Sequence, residues 1–142
     1  MMVTLKFNIE INAPREKVWA ALWDDQSYRE WTSVFTKGSY AKSDWQEGSR
    51  IDFLNPSGNG IFASIDKKVL NDTMVFKHAG EIKNGEDVPG TDWAGSTESY
   101  FLSDRDGGTL LYTELQSTED FQQYFNDTFP KAMNKVKEIA ER

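Results

Sequence analysis

The sequence has no cysteine, only one histidine and no long apolar run. The lack of cysteine excludes disulfides, thiolate nucleophiles and cysteine-bound metals, and it suits a reducing compartment. The single histidine, His78, excludes a metal site built on two histidines, so we expect neither metal nor cofactor. No segment approaches the roughly 18 apolar residues of a membrane helix, and no signal-like segment is present. We therefore expect a cytoplasmic protein without a membrane span.

Positive charge is also scarce. The chain has 23 acidic and 16 basic residues, which give a net charge of −7. Phosphate backbones repel such a chain, so we expect no nucleic acid partner. Calcium-loop spacings and glycine-rich phosphate loops are likewise missing.

Aromatic residues, in contrast, are plentiful at 13% of the chain. They can form a dense core or line an apolar cavity, and the composition leaves both interpretations open. A chain of 142 residues is long enough to bury one substantial core. We expect residues 1–142 to form a single domain.

The first 31 residues change from one periodicity to another. Apolar residues alternate with polar ones at Val3, Leu5, Phe7, Ile9 and Ile11. This alternation predicts a strand with one buried face. Pro14 suits the first turn of a helix because it has no N–H to lose there. We predict short helices over residues 14–24 and 26–31.

Six further strands and a terminal helix follow. Strand-like patterns separated by turn residues cover 40–45, 50–54, 61–70, 73–78, 93–103 and 109–116. Residues 80–91 predict a long mobile loop, because Gly80, Gly85, Pro89 and Gly90 interrupt the pattern. From residue 117 onward, apolar residues at spacings of three and four predict a helix that lies against the sheet.

Two segments carry a family resemblance. Residues 9–22 contain Ala13-Pro14 and Val18-Trp19 after a strand, and Trp31 follows. Together with residues 129–141, they resemble the START-like or SRPBCC superfamily, which shares the helix-grip fold of birch-pollen-allergen-like proteins. The terminal segment is similar to the bacterial AHSA-type branch, named after the activator of heat-shock protein 90 ATPase.

This resemblance implies an α+β helix-grip fold with two short helices after the first strand. A curved antiparallel sheet of about seven strands would wrap around the long C-terminal helix, with an apolar cavity between them. It implies no single activity, because the superfamily includes lipid and hormone carriers, polyketide cyclases, oxygenase subunits and a co-chaperone domain.

The expected cavity is mostly apolar, and we predict no catalytic residue. Its candidate lining residues are Phe7, Ile9, Phe53, Ile61, Met74, Phe76, His78, Trp93, Tyr112, Glu114, Phe121, Phe125, Phe129 and Met133. His78 shares strand parity with Met74 and Phe76, which would make it a polar anchor inside the cavity, but a structural or exposed histidine is the simpler interpretation.

Two strand glutamates could supply an acid or base if they faced the cavity. Most strand glutamates face water, and of these two Glu114, which shares parity with Leu110 and Tyr112, is the stronger candidate for the inner face. Glu98, which lies near Tyr100, is the weaker candidate.

Three functions remain open at this point. The first is binding of an apolar or amphipathic small molecule, as a carrier or sensor, through an opening between residues 55–60, residues 80–91 and the terminal helix. The second is a cyclase- or hydrolase-like enzyme that uses Glu114, His78 or Tyr112. The third is a chaperone-associated interaction protein, which an exposed apolar patch near Trp31 or Trp45 would favour. We favour the first and expect a monomer or homodimer.

Overall fold

The computed structural model describes residues 2–89 and 91–142, which form a curved, open antiparallel sheet and three α-helices. The elements in chain order are β1 (Met2–Ile11), α1 (Arg15–Trp23), α2 (Asp25–Thr32), β2 (Tyr40–Lys42), β3 (Arg50–Leu54), β4 (Gly60–Val69), β5 (Thr73–Lys83), β6 (Glu86–Pro89), β7 (Thr97–Arg105), β8 (Gly108–Thr118), a 3₁₀ turn (Glu119–Phe121) and α3 (Gln122–Ala140). This is the α+β helix-grip architecture that the sequence predicts.

The sheet brings the two ends of the chain together. Its strand order is β1-β8-β7-β5-β4-β3-β2, and β6 pairs with β5 outside this path. The first strand pairs with the last, from Met2 opposite Thr118 to Ile11 opposite Thr109. Helix α3 follows β8 after the short 3₁₀ turn, and it packs against β1, α1 and α2.

One face of the sheet, the inner face, is covered by the three helices. Register places Phe7 opposite Thr113 and Thr113 opposite Tyr100, so these side chains share that face. From α3, Phe129 stacks on Phe7 with ring centroids 4.9 Å apart, and Met133 accepts a hydrogen bond from Thr113 at 3.7 Å. The core therefore lies between the inner face and the helices.

The opposite, outer face carries an ion cluster that joins three strands. The Arg50 guanidinium lies 2.7 Å from carboxylate oxygens of both Asp52 and Asp87. It also covers the ring of Phe62 at 4.5 Å from the centroid. Arg50, on β3, thereby contacts β6 through Asp87 and β4 through Phe62.

The predicted loop at residues 80–91 is wrong for most of its length. Strand β5 continues to Lys83, and β6 returns beside it as a hairpin. Asn84 and Gly85 form the turn with φ angles of 54° and 78°. Asn-Gly is a strong signal for a two-residue hairpin turn, because both residues tolerate positive φ. Gly90 lies outside the described residues.

The start of another predicted strand also shifts. The predicted strand at 93–103 begins only at Thr97, and Trp93 lies in the turn before it.

In the part of the chain that the structure describes, no helix has the length and apolar character needed to cross a bilayer.

Replacing Phe129 tests the packing of α3 on the sheet. Phe129 is buried, and Phe129→Ala should lower the free energy of unfolding by about 3–5 kcal/mol through cavity formation. Phe121→Ala is the matched control, because Phe121 is 53% exposed on the same chain segment; its effect should stay within about 0.5 kcal/mol. Urea denaturation of both variants measures the difference, and equal losses would contradict the observed packing.

Candidate functional site

Three polar side chains meet on the inner face, and we call them the polar cluster: His78, Glu98 and Tyr100. The Tyr100 hydroxyl donates a short hydrogen bond to Oε2 of Glu98. Nε2 of His78 lies 3.3 Å from Oε1 of the same carboxylate. The side chains of His78 and Glu98 are only 9% and 20% exposed, and Tyr100 is fully buried. A carboxylate is thus held inside the fold by a phenol and an imidazole.

The pairing of β5 with β7 brings the polar cluster together. Phe76 pairs with Glu98, and Met74 pairs with Tyr100. Beyond the end of β7 the pairing continues, since the His78 N–H donates to the Ser96 carbonyl at 2.8 Å. His78 is therefore the diagonal neighbour of Glu98 on the same face, a position within reach of long side chains.

Aromatic rings surround the polar cluster. The His78 ring lies 6.1 Å from that of Trp93 and 6.2 Å from that of Phe53. Phe53 contacts Phe76 at 5.1 Å, and Phe76 contacts Tyr100 at 6.2 Å. Sites that bind small molecules commonly combine such apolar walls with a few polar groups that fix orientation.

Burial and the carboxylate both change the acidity of nearby phenols. Burial raises the pKa of Tyr100 well above its usual value, and the negative charge of Glu98 raises it further. The pKa of Tyr28, on α2, is raised by the same two causes in the same order. Both phenols therefore stay protonated, and the site disfavours a second negative charge.

Two buried nitrogens have no hydrogen-bond partner within residues 2–89 and 91–142. They are Nδ1 of His78 and Nε1 of Trp23. Trp23 lies over the inner face, with its ring 4.9 Å from that of Tyr100 and 5.4 Å from that of Phe76. An unpaired buried polar group is costly, and a bound polar molecule is one way to satisfy it.

Several predicted cavity residues share this interior. Those in or against the core are Phe7, Ile9, Phe53, Met74, Phe76, Phe125, Phe129 and Met133. His78 is buried beside them, Trp93 contacts it, and the half-buried Ile61 pairs with Phe53. Whether these residues contact a ligand stays a prediction.

Tyr112 and Glu114 lie on the outer face, contrary to the predicted orientation. The buried residues of β8 between Thr109 and Leu115 are the odd-numbered ones. Thr109 and Thr113 point inward because their hydroxyls find partners there, the Ala13 carbonyl and the Met133 sulfur. Shared parity with Leu110 therefore predicts the wrong face of the sheet for Tyr112 and Glu114.

The start of α3 also differs from the prediction. Phe121 is 53% exposed and Phe125 is only half-buried, whereas the buried residues of α3 begin at Phe129. The apolar stripe thus begins at Phe121 in the sequence, whereas the buried contact of α3 begins only at Phe129.

Glu98 is the inward glutamate, whereas the sequence favours Glu114. Its parity with Tyr100 and Leu102, both buried, was the available signal. The two buried nitrogens without hydrogen-bond partners, on His78 and Trp23, could not be identified from the sequence, because hydrogen-bond partners depend on packing.

Two open grooves lie elsewhere on the surface. One, of about 430 Å³, runs between the start of α1 and the β7–β8 turn and is lined by Arg15, Asp104 and Arg105 among others. The second, of about 320 Å³, is lined by Met2, Asp92, Thr118, Glu119 and Asp120. Neither contains a predicted cavity residue. Within the described ranges, no group of three or more His, Cys, Asp or Glu side chains could hold a metal.

Comparison with known proteins assigns this architecture to a family. The family model described as activator of Hsp90 ATPase homolog 1-like protein matches residues 12–141. The chain belongs to this family. The match confirms the predicted AHSA-type branch of the SRPBCC superfamily, and no curated protein matches the sequence. Membership places the chain among ligand-binding or Aha1-like proteins.

Several solved structures share the fold at low identity. The Aha1 dimer from Colwellia psychrerythraea is 23% identical with a TM-score of 0.75, and the match covers 98% of this chain and 96% of that one. An uncharacterized protein from Rhizobium leguminosarum is 13% identical with a TM-score of 0.73, covering 100% and 96%. CalU16 from Micromonospora echinospora is 19% identical with a TM-score of 0.70, covering 96% and 75%.

The raised pKa of Tyr100 predicts a specific loss of stability in alkali. In the unfolded chain Tyr100 ionises near pH 10, but in the folded protein it stays protonated at higher pH. The free energy of unfolding should therefore fall above about pH 10, by about 1.4 kcal/mol per pH unit for this residue.

Tyr100→Phe should make that decline shallower, whereas Tyr124→Phe, which removes an exposed phenol, is the control. Urea denaturation between pH 9 and about pH 11 measures both slopes. Identical slopes for Tyr100→Phe and the parent protein would show that the phenol is not sealed from solvent.

Proposed function

We propose that this protein binds an apolar or amphipathic small molecule between the inner face and α3, as a carrier or sensor. The observation that carries the proposal is the polar cluster, a carboxylate placed among aromatic rings with an unused imidazole nitrogen beside it. The family supports the coarser assignment, since it includes ligand-binding proteins.

The polar cluster stabilises the fold less than apolar side chains of similar size would. Replacing buried charged groups by apolar residues of similar volume is often neutral or stabilising. Glu98 has the Tyr100 hydroxyl and the His78 imidazole beside it, yet Nδ1 of His78 has no partner among the described residues. A ligand group that pairs with that nitrogen would explain why the polar cluster is present, which packing alone does not explain.

We place the opening at the start of α3. Phe35, which follows α2, contacts Phe129 at 5.7 Å and Tyr124 at 6.5 Å. Phe129 in turn lies 6.5 Å from Tyr100. A line of aromatic rings therefore leads from the half-exposed Tyr124 to the polar cluster. Outward movement of this helix segment would admit an apolar chain.

An enzyme of cyclase or hydrolase type is a second candidate, and it now depends on different residues. The predicted acid–base residues Glu114 and Tyr112 face outward, but Glu98 and His78 meet inside the fold. A buried carboxylate beside an imidazole can serve as an acid–base pair.

An Aha1-like interaction protein is the third candidate. Trp31 is buried and so offers no patch, but Phe121 and Tyr124 are 53% and 43% exposed at the start of α3. Neighbouring exposed aromatic residues suit a protein contact. A second copy of the chain is the partner to test, since a similar structure is an Aha1 dimer.

We also propose that residues 1–142 form one domain that acts in the cytoplasm.

Native mass spectrometry of protein purified from its own host tests the proposed function, together with binding of the neutral fluorescent probe N-phenyl-1-naphthylamine. We expect a co-purified molecule or saturable probe binding. Tyr100→Phe and Glu98→Gln should weaken binding, because they alter the polar end of the site.

Tyr112→Phe and Glu114→Gln are matched controls. Tyr112 donates a 2.8 Å hydrogen bond to Glu114, so the same pair of residue types occurs on the neighbouring strand but on the outer face. These variants should bind normally. A bare protein mass with no probe binding would reject the carrier function and direct effort to enzyme assays and to measurements of self-association.

A further inference from the structure

The polar cluster has a distinct electrostatic character. We infer that the site selects amphiphiles whose head group donates a hydrogen bond, a hydroxyl or an ammonium, and discriminates against carboxylate head groups. This inference rests on the proposed function and specifies the ligand class. It follows from how the hydrogens of the polar cluster are already used.

Both oxygens of Glu98 have neighbours, and these neighbours determine where hydrogens lie. Oε2 accepts the Tyr100 hydroxyl. Nε2 of His78 faces Oε1 at 3.3 Å, where a hydrogen on Nε2 is favourable and a lone pair would repel the carboxylate. A neutral imidazole with its hydrogen on Nε2 leaves Nδ1 as an acceptor.

That acceptor is buried and unmatched. Nδ1 of His78 has no hydrogen-bond partner among residues 2–89 and 91–142. The neighbouring side chains in contact with the ring include Phe53 and Trp93, which are aromatic. A head group with an O–H or N–H would satisfy Nδ1, whereas an ionised carboxylate has no hydrogen to give it and could only accept from the unpaired Nε1–H of Trp23.

Charge acts in the same direction. In the described part of the chain, the salt-bridge contact of Glu98 is with His78, and no lysine or arginine pairs with it. The carboxylate of Glu98, 20% exposed, therefore has a phenol and an imidazole beside it but, among the described residues, no lysine or arginine. Burial raises the pKa values of Tyr28 and Tyr100, and the negative charge of Glu98 raises them further, so this interior disfavours another anion. An ammonium would be attracted to the carboxylate and to the face of Trp93.

The test compares three ligands with the same ten-carbon chain: decan-1-ol, decylammonium and decanoate. Each competes with N-phenyl-1-naphthylamine for the wild-type protein at neutral pH. We expect the alcohol and the ammonium to displace the probe, and decanoate to require at least about tenfold higher concentration. Tighter binding of the ammonium would assign the selection to Glu98, and tighter binding of the alcohol to Nδ1 of His78.

Two variants separate local from overall electrostatics. Glu98→Gln and Glu114→Gln each remove one negative charge, but only Glu98 faces the site. Glu98→Gln should bring decanoate close to the alcohol, while Glu114→Gln should keep the wild-type order. Thermal melts check that both variants fold. If Glu98→Gln does not fold, the comparison of the three ligands on the wild-type protein still tests the inference.

Each outcome decides one claim. Decanoate binding as tightly as the alcohol, or more tightly, overturns the head-group inference and leaves the proposed function intact. Probe binding without displacement by the alcohol or the ammonium also overturns the inference. A protein that binds neither the probe nor any of the three ligands overturns the proposed function itself.

Discussion

The packing of Trp23 against the inner face is the contact on which the arrangement of helices and sheet depends. Trp23 ends α1, and its ring meets Tyr100 edge-on at 4.9 Å and Phe76 at 5.4 Å. It also contacts Tyr28 and Trp31 of α2 at 6.4 Å each. Aromatic pairs in such geometry contribute beyond their buried area. One residue thus holds both short helices over β5 and over β7, the strand that carries Glu98 and Tyr100.

Two tyrosine–glutamate pairs show that environment, and not residue type, creates the candidate site. Tyr100 donates to Glu98 inside the fold, and Tyr112 donates to Glu114 on the outer face. Both pairs are two residues apart on neighbouring strands. Only the inner pair has an imidazole beside it and aromatic rings around it, so the same contact that is common on surfaces here holds a partly buried carboxylate.

The sequence predicts the fold well where a local pattern has one structural meaning. The alternation in β1, Pro14 before α1 and the stripe from Phe129 onward all correspond to observed elements. Prediction fails where the pattern is ambiguous: Thr109 and Thr113 face inward because partners in other elements accept their hydrogen bonds. The polar cluster depends on the register of β5 and β7, and no local signal sets that register.

Helix α3 divides into two parts with different physical roles, and the division explains how a closed interior could open. From Phe129 onward the helix supplies buried side chains to the core, whereas the turns before it leave Tyr124 exposed. Pro130 lies at the boundary, where it has no N–H to offer the carbonyl of Asn126. The helix is therefore weakest where its burial begins. Movement of the first part would uncover Phe129 and the way to Tyr100 while the cluster around Trp23 stays in place.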